Sequence, residues 1–318
     1  MKKTIMYCPL NDGHIIHDIH EFAQKKFDES VQGFRRFYGT VILGGTNDFQ
    51  RLICNFPVVD IENSNILIFD KVVADYATKH CLDEFWQKNN MQLQKPSIPQ
   101  STLYELFFVV AALMQLKTHW NKKHKPEKRE YKISAEDSCL HEELMITGYS
   151  LKNVDIAINS NFQEVSVRID LGNDIDIRLS DLTAFGDNHL SFVDEKHLYK
   201  VTSTPMNYQY SGSLIAPCID EKYELRDHLQ GIYWTSQDLL YQVYIKGSEA
   251  LTKLKLNEEG VEARAETLAY TSMRLGCSAH NIPKTYALVI VHGLVVDIRY
   301  QGQSVFLAYV PQEKFIRV

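Results

Sequence analysis

The sequence predicts one α+β domain, residues 1–318, on three observations. The front of the chain carries apolar residues at helical spacing. From Ser138 onward, apolar and polar residues alternate with period two between turn residues. No linker, internal repeat or low-complexity segment separates the two halves.

Asn11 to Phe37 is expected to be helical. Ile15, Ile16, Ile19, Phe22 and Ala23 form one stripe, Val31, Phe34, Phe37 and Tyr38 another, and Gly39 is a stop. Asp48 to Phe56 is a short amphipathic stretch. "NSNILIFDK", Asn63 to Lys71, alternates as a strand does. "DYATKHCLDEFWQKN" is helical, with Tyr76, His80, Leu82 and Phe85 close to one face. "LYELFFVVAALMQLKTHW", Leu103 to Trp120, is β-branched and aromatic at its start, which suits a buried central strand. The basic run Lys117 to Arg129 contains Pro126 and reads as a solvated loop.

The back half holds the clearest hairpin. Val165, Val167, Ile169 and Leu171 share one face, Gly172-Asn173-Asp174 turns the chain, and Ile175, Ile177 and Leu179 return. Strands are expected near Leu214 to Cys218 and Tyr241 to Ile245, and a short helix at Tyr223 to Leu229. "TYALVIVHG" and "SVFLAYV" are closing strands.

A formal net charge of -6 argues against a nucleic-acid partner, because no overall basic surface is available to displace counterions from phosphates. The six cysteines, Cys8, Cys54, Cys81, Cys139, Cys218 and Cys277, form no C-x-x-C pair. They read as free thiols in a reducing, cytoplasmic compartment. The N-terminus has no apolar run of signal-peptide length, and Leu106 to Met114 is too short to span a bilayer.

His14, His17 and His20 recur at spacing three beside Asp18 and Glu21, a pattern that can place metal ligands on one helix face. The spacing is not that of the zincins, and the third histidine drifts round the helix, so they read as structural and no metal is expected. No dinucleotide fingerprint, phosphate loop or nucleophile elbow is present, so no cofactor and no enzymatic activity are expected.

The most unusual stretch is "LNEEGVEARAETLAYTSMRLGC", Leu256 to Cys277. From Gly260 one face carries Val261, Ala263, Ala265, Thr267 and Ala269, all small or compact. The other carries Glu262, Arg264, Glu266, Leu268 and Tyr270, which can stay wet. A strand is expected to end at Glu258-Glu259-Gly260, and a long loop then runs to a strand beginning at Tyr286. Loops of that length in compact domains are usually functional or disordered.

"LKLNEEGVEARAET" resembles the proximal hinge of the serpins, a strand followed by Glu-Glu-Gly, an acid and a run of Ala and Thr. The resemblance extends in order along nearly the whole chain. "TIMYCPLNDGHIIHDIHEFA" is similar to the family's N-terminal strand and helix, with Pro9 in its Ser-Pro-x-Ser-Ile position. "NILIFDKVVADYATKHCLDEFWQ" is similar to the segment around Asn-x-Leu-Phe. "ELFFVVAALMQLKTHW" is similar to the central strand ending in Phe-Lys-Gly-x-Trp, with Lys117 and Trp120 retained. "EVSVRIDLGNDIDIRL" and "SVFLAYVPQ" are similar to the later hairpin and the closing strand.

The resemblance implies a serpin fold: three β-sheets with surrounding helices and an exposed reactive-centre loop over 258–281. It implies a suicide-substrate inhibitor, a monomer, whose partner is a trypsin-like serine protease or a cysteine protease. In the family register the reactive bond is Arg274-Leu275, and the hinge is Glu258, Glu259, Gly260, Val261, Glu262, Ala263, Ala265 and Thr267. A slip of one would present Met273 or Leu275 to a chymotrypsin-like target. The chain also departs from the family. It opens beyond the first family helix, and few residues separate Gln94 from Leu106, where the family carries a helix across its main sheet. The usual Asn of the central strand is Ala111, the usual His before the hinge falls near Ala250, and Ala308 replaces a Gly. A trimmed serpin of this kind resembles the intracellular viral members. The alternative it leaves open is a non-inhibitory serpin-fold binding or decoy protein.

Overall fold

The computed structural model describes residues 4–9, 11, 12, 15, 16, 42–44, 66–74, 79–95, 109–135, 143–158, 165–181, 198, 202, 206–227, 229, 233–235, 242–245, 247–268 and 287–318. Its elements run β1 (Ile5–Tyr7), β2 (Ile42–Gly44), β3 (Ile66–Ala74), α1 (Lys79–Lys88) and β4 (Val109–His119). There follow β5 (Glu127–Ser134), β6 (Glu143–Ile158), β7 (Val165–Gly172), β8 (Ile175–Asp181), β9 (Tyr208–Pro217) and β10 (Ile219–Arg226). The chain continues through β11 (Tyr233–Thr235), β12 (Gln242–Tyr244), β13 (Glu249–Leu256) and β14 (Gly260–Leu268). It closes with β15 (Ala287–Val289), β16 (Gly293–Tyr300) and β17 (Gln303–Pro311).

These strands form three sheets. The central one has five strands in the order β10-β13-β14-β4-β3, all antiparallel. A nine-stranded sheet runs β1-β17-β16-β8-β7-β6-β9-β15, with β5 paired to β6 off this path. A small sheet has the order β12-β11-β2. The first two share one core. Leu67, Met114, Leu116 and Leu254 of the central sheet pack in a single cluster with Ile156, Val167, Ile177 and Phe306 of the larger. Burying the inner faces of both sheets between them removes far more apolar area from water than either sheet could hide alone.

Local chemistry accounts for the expected strands. In the β7–β8 hairpin, Asn173 and Asp174 adopt φ of 54° and 59°, the paired left-handed conformation that Asn and Asp tolerate best. The expected inward residues Val167, Ile169, Leu171, Ile175, Ile177 and Leu179 are all buried. β4 is the buried central strand expected, with Val110 to Met114 at 2% exposure or less. In α1, Phe85 is buried and Asn90 ends the helix at φ 47°. Of the long N-terminal helix, positions 11, 12, 15 and 16 are described and helical, and Ile15 and Ile16 are fully buried. No described helix is long and apolar enough to cross a membrane.

Two expectations are corrected. Tyr223 to Arg226, expected to be helical, belongs to strand β10, where Asp220, Lys222, Glu224 and Arg226 point outward at strict period two. Cross-strand pairing with all of β13 overrides the weak helical pattern. The basic run is also not a loop. Lys117 to His119 finish β4, Lys122 to His124 form one 3₁₀ turn capped by the Asn121 side chain, and Glu127 begins β5. Among the described residues β5 pairs only with β6, so its charges stay exposed while Ile133 turns inward.

Candidate functional site

The stretch expected as a hinge begins as a tight turn between β13 and β14. Asn257 Oδ1 accepts the amides of Glu259 (2.9 Å) and Gly260 (3.2 Å), an Asx turn that replaces the ladder where the chain reverses. Trp120 holds the outside of the turn. Its indole Nε1 donates to Asn257 O (2.6 Å), its backbone N–H donates to Glu259 O (3.2 Å), and its ring stacks on Tyr149 at 5.7 Å. Glycine is required next. A Cβ on Gly260 would lie 2.0 Å from Thr118 O and 2.7 Å from His119 Cα, both backbone atoms. Below the turn, Cys218 Sγ lies 3.9 Å from Glu258 Oε2. Burial, reinforced by the Glu258 charge, pushes that thiol up to about 11.

From Gly260 the chain does not leave the sheet. It runs back as β14 between β13 and β4, paired to both along its whole length. The stretch expected as exposed reactive-centre loop is therefore, over Gly260–Leu268, a central strand. The alternation in the sequence explains why it fits. Val261, Ala263, Ala265 and Thr267 face the core at 2%, 0%, 0% and 1% exposure. The neighbouring strands supply the bulk: Ala263 lies between Leu254 and Leu116, and Ala265 between Thr252 and Met114.

Ala111 and Ala250 flank the far end of this strand, Ala111 opposite Leu268 and Ala250 opposite Thr267. Neither side chain can form a hydrogen bond there. The polar link comes from below instead. Asn11 is buried at 1% exposure, and its Nδ2 lies 3.3 Å from Ala112 O, 3.0 Å from Ala265 O and 3.2 Å from Thr267 Oγ1. One side-chain amide thus bridges β4 and β14 across the position the strand occupies.

The outward face is not uniformly wet, which corrects the expectation for it. Glu262 is exposed and lies 3.4 Å from Lys117 Nζ. Glu266, by contrast, is buried at 1% exposure. Its Oε2 accepts the amides of Gln92 (2.7 Å) and Leu93 (3.0 Å), and its Oε1 accepts from Arg264 Nε (2.8 Å). Arg264 also donates to Asn89 O (2.7 Å), Asn90 O (3.3 Å) and Gln115 Oε1 (3.2 Å). The chain leaving α1 lies over Arg264 and Glu266 and shields them, while Glu262 stays exposed.

No protein-family model and no curated protein matches the sequence. Solved structures do match. A loop-inserted, cleaved ovalbumin mutant aligns over 96% of this chain and 93% of its own, at TM-score 0.55 and 10% identity. The latent state of the thermophilic serpin tengpin aligns over 98% and 92%, at TM-score 0.51 and 9% identity. Cleaved Serpin 42Da aligns over 95% and 98%, at TM-score 0.52 and 10% identity.

The chain has the serpin fold.

Within that fold, the structure brings together every expected hinge residue: Glu258 and Glu259 in the turn, and Gly260, Val261, Glu262, Ala263, Ala265 and Thr267 in β14. The reactive bond Arg274-Leu275 lies outside the described residues, as do Met273, Cys277, His14, His17 and His20. Sequence reasoning missed Asn11, Asn257, Gln92 and Leu93. An asparagine directly before Glu-Glu-Gly is a recognisable turn signal. Asn11, Gln92 and Leu93 reach β14 only through contacts distant in sequence, and no local pattern announces them.

Proposed function

We propose that this chain is a suicide-substrate inhibitor of trypsin-like serine proteases, cleaved at Arg274-Leu275. The observation that supports this reading is the burial of the alternating small residues of β14 in the middle of a sheet. A loop that must enter a packed interior needs such a face, because any unpaired charge there would cost several kcal/mol. Both neighbours run antiparallel to β14, so β4 and β13 run parallel to each other. With the loop outside they would meet as parallel strands. Insertion converts that junction into two antiparallel ladders, the more stable pairing per residue.

The chemistry then belongs to the protease. Its serine Oγ attacks the Arg274 carbonyl carbon, an ester bond forms, the Arg274-Leu275 amide bond breaks, and the protease histidine passes the proton to the departing Leu275 amine. From Gly260 to Arg274 an extended strand spans about 46 Å at ~3.3 Å per residue, enough to carry the ester from one end of the sheet to the other. A protease displaced that far before water attacks the ester stays covalently trapped. Strand insertion of this kind is a known route by which serpins use sheet addition and released strain. The free, buried thiol of Cys218 supports a reducing, cytoplasmic setting.

The test mixes the protein with a panel of trypsin-like proteases and, as a second panel, chymotrypsin-like and cysteine proteases. A denaturant-resistant complex of summed mass with a trypsin-like enzyme is expected. Cleavage at Arg274 with no such complex would overturn inhibition and assign the binding or decoy reading, which the absent Asn and His at Ala111 and Ala250 favour.

A further inference from the structure

The paired charges on the outward face of β14 have no part in fitting the strand into the core, yet they are its most heavily bonded side chains. We infer that Arg264 and Glu266 are positioning residues that fasten the inserted strand to the turn Asn89–Leu93, so that this turn acts as a latch over the loop once it has entered the sheet. This rests on the inserting-loop reading above.

The geometry is that of a built recognition site. Glu266 presents one carboxylate oxygen to two consecutive backbone amides, Gln92 and Leu93, at 2.7 and 3.0 Å. Arg264 presents its guanidinium to two consecutive carbonyls, Asn89 and Asn90, at the end of α1. A cation at a helix C-terminus and a carboxylate on free-facing amides are each the favourable sign for the backbone dipoles they meet. The two side chains also neutralise one another through the 2.8 Å contact of Arg264 Nε with Glu266 Oε1. Trp86 Nε1 donates to Leu93 O (2.9 Å) and Met91 N–H donates to Trp86 O (3.1 Å), so the turn is shaped to receive them. The flanking strands join in: Lys253 of β13 bonds the Gln92 side chain, and Gln115 of β4 bonds Arg264.

All of these bonds to β14 exist only while β14 is in the sheet. A loop outside the sheet takes Arg264 and Glu266 with it, and the Gln92 and Leu93 amides lose their acceptor. The latch therefore reads the register of insertion: a strand shifted by one residue would turn both charges into the core. It engages before insertion is complete, because Arg264 and Glu266 lie in the first half of the Gly260 to Arg274 stretch.

The experiment uses the full chain and its form cleaved by a protease within 269–281, in wild type, Glu266→Ala and Glu266→Gln. The Tm gain on cleavage reports insertion. Hydrogen exchange at the Gln92 and Leu93 amides reports the latch. In the cleaved wild type these two amides should exchange at least tenfold more slowly than in cleaved Glu266→Ala, with Glu266→Gln, which keeps an acceptor oxygen, in between. If Glu266→Ala no longer inserts, the comparison of wild type with Glu266→Gln takes its place. A Tm gain with Gln92 and Leu93 exchanging alike in wild type and variants overturns the latch and leaves the inhibitor reading standing. No Tm gain in the wild type, with Gln92 and Leu93 exchanging as fast as in Glu266→Ala, overturns insertion itself.

Discussion

Ala263→Arg separates the inserted strand from every other part of the molecule. In the loop-out form the new side chain sits in solvent and costs nothing. In the inserted form it replaces a methyl group at 0% exposure whose cross-strand neighbours are Leu254 and Leu116. Those neighbours offer no carboxylate and no acceptor. An unpaired buried charge carries an effective penalty of several kcal/mol. Taking about 4 kcal/mol, the inserted state loses roughly a thousandfold in equilibrium. If half of that is felt at the barrier to insertion, insertion slows by about thirtyfold. Hydrolysis of the acyl-enzyme then wins the race. The assay is the ratio of covalent complex to cleaved chain on denaturing gels, with the Tm of the cleaved chain alongside. Complex should give way to cleaved product, and the Tm gain on cleavage should shrink. Unchanged complex formation would refute the account of how β14 is accommodated. Glu262→Ala is the control: Glu262 and Lys117 are both exposed, such pairs contribute about 0–1 kcal/mol, and inhibition should be unaffected.

Further outcomes follow from single contacts. Gly260→Ala should lower the Tm of the inserted form, because its Cβ would lie 2.0 Å from Thr118 O and forced overpacking typically costs about 1–3 kcal/mol. Asn11→Ala should destabilise the inserted form by about 1–3 kcal/mol, read by urea unfolding, since Thr267 Oγ1 and two carbonyls lose their buried donor. Burial holds the Asp297 carboxyl up at about 6 although Arg299 lies 3.8 Å away. The folded pKa exceeds the unfolded one, so this group's contribution is complete below about pH 4 and is lost as pH rises through 6, by about 3 kcal/mol. Asp297→Asn should flatten that decline in urea midpoints, and an unchanged slope would show that Asp297 is ionised in the fold. Cys218, with its thiol at about 11, should resist maleimide at pH 8 until the protein is unfolded.

Much of the architecture was legible in local pattern. The β7–β8 hairpin announced its faces and its turn, and β4 announced its burial by composition. The strand nature of β10 was present as outward charges at Asp220, Lys222, Glu224 and Arg226, yet it was obscured by a short apolar periodicity that pairing with β13 overrides. The buried face of β14 was legible in the placement of Val261, Ala263, Ala265 and Thr267, because a strand buried on one face has to omit bulk there. Arg264 and Glu266 were misread as solvated, since a charge at an outward position normally is.

By itself the sequence determined which residues of Gly260–Leu268 can be buried, through the period-two placement of Val261, Ala263, Ala265 and Thr267. Period and side-chain size are local properties, and they set what a strand can tolerate. Only the tertiary structure decided where that strand lies and what holds it. Its pairing with β4 joins residues more than a hundred positions apart, and the bonds from Asn11, Gln92 and Leu93 are longer in range still. Hydrogen bonds depend on positions in space to within tenths of an ångström, and no spacing along the chain specifies those.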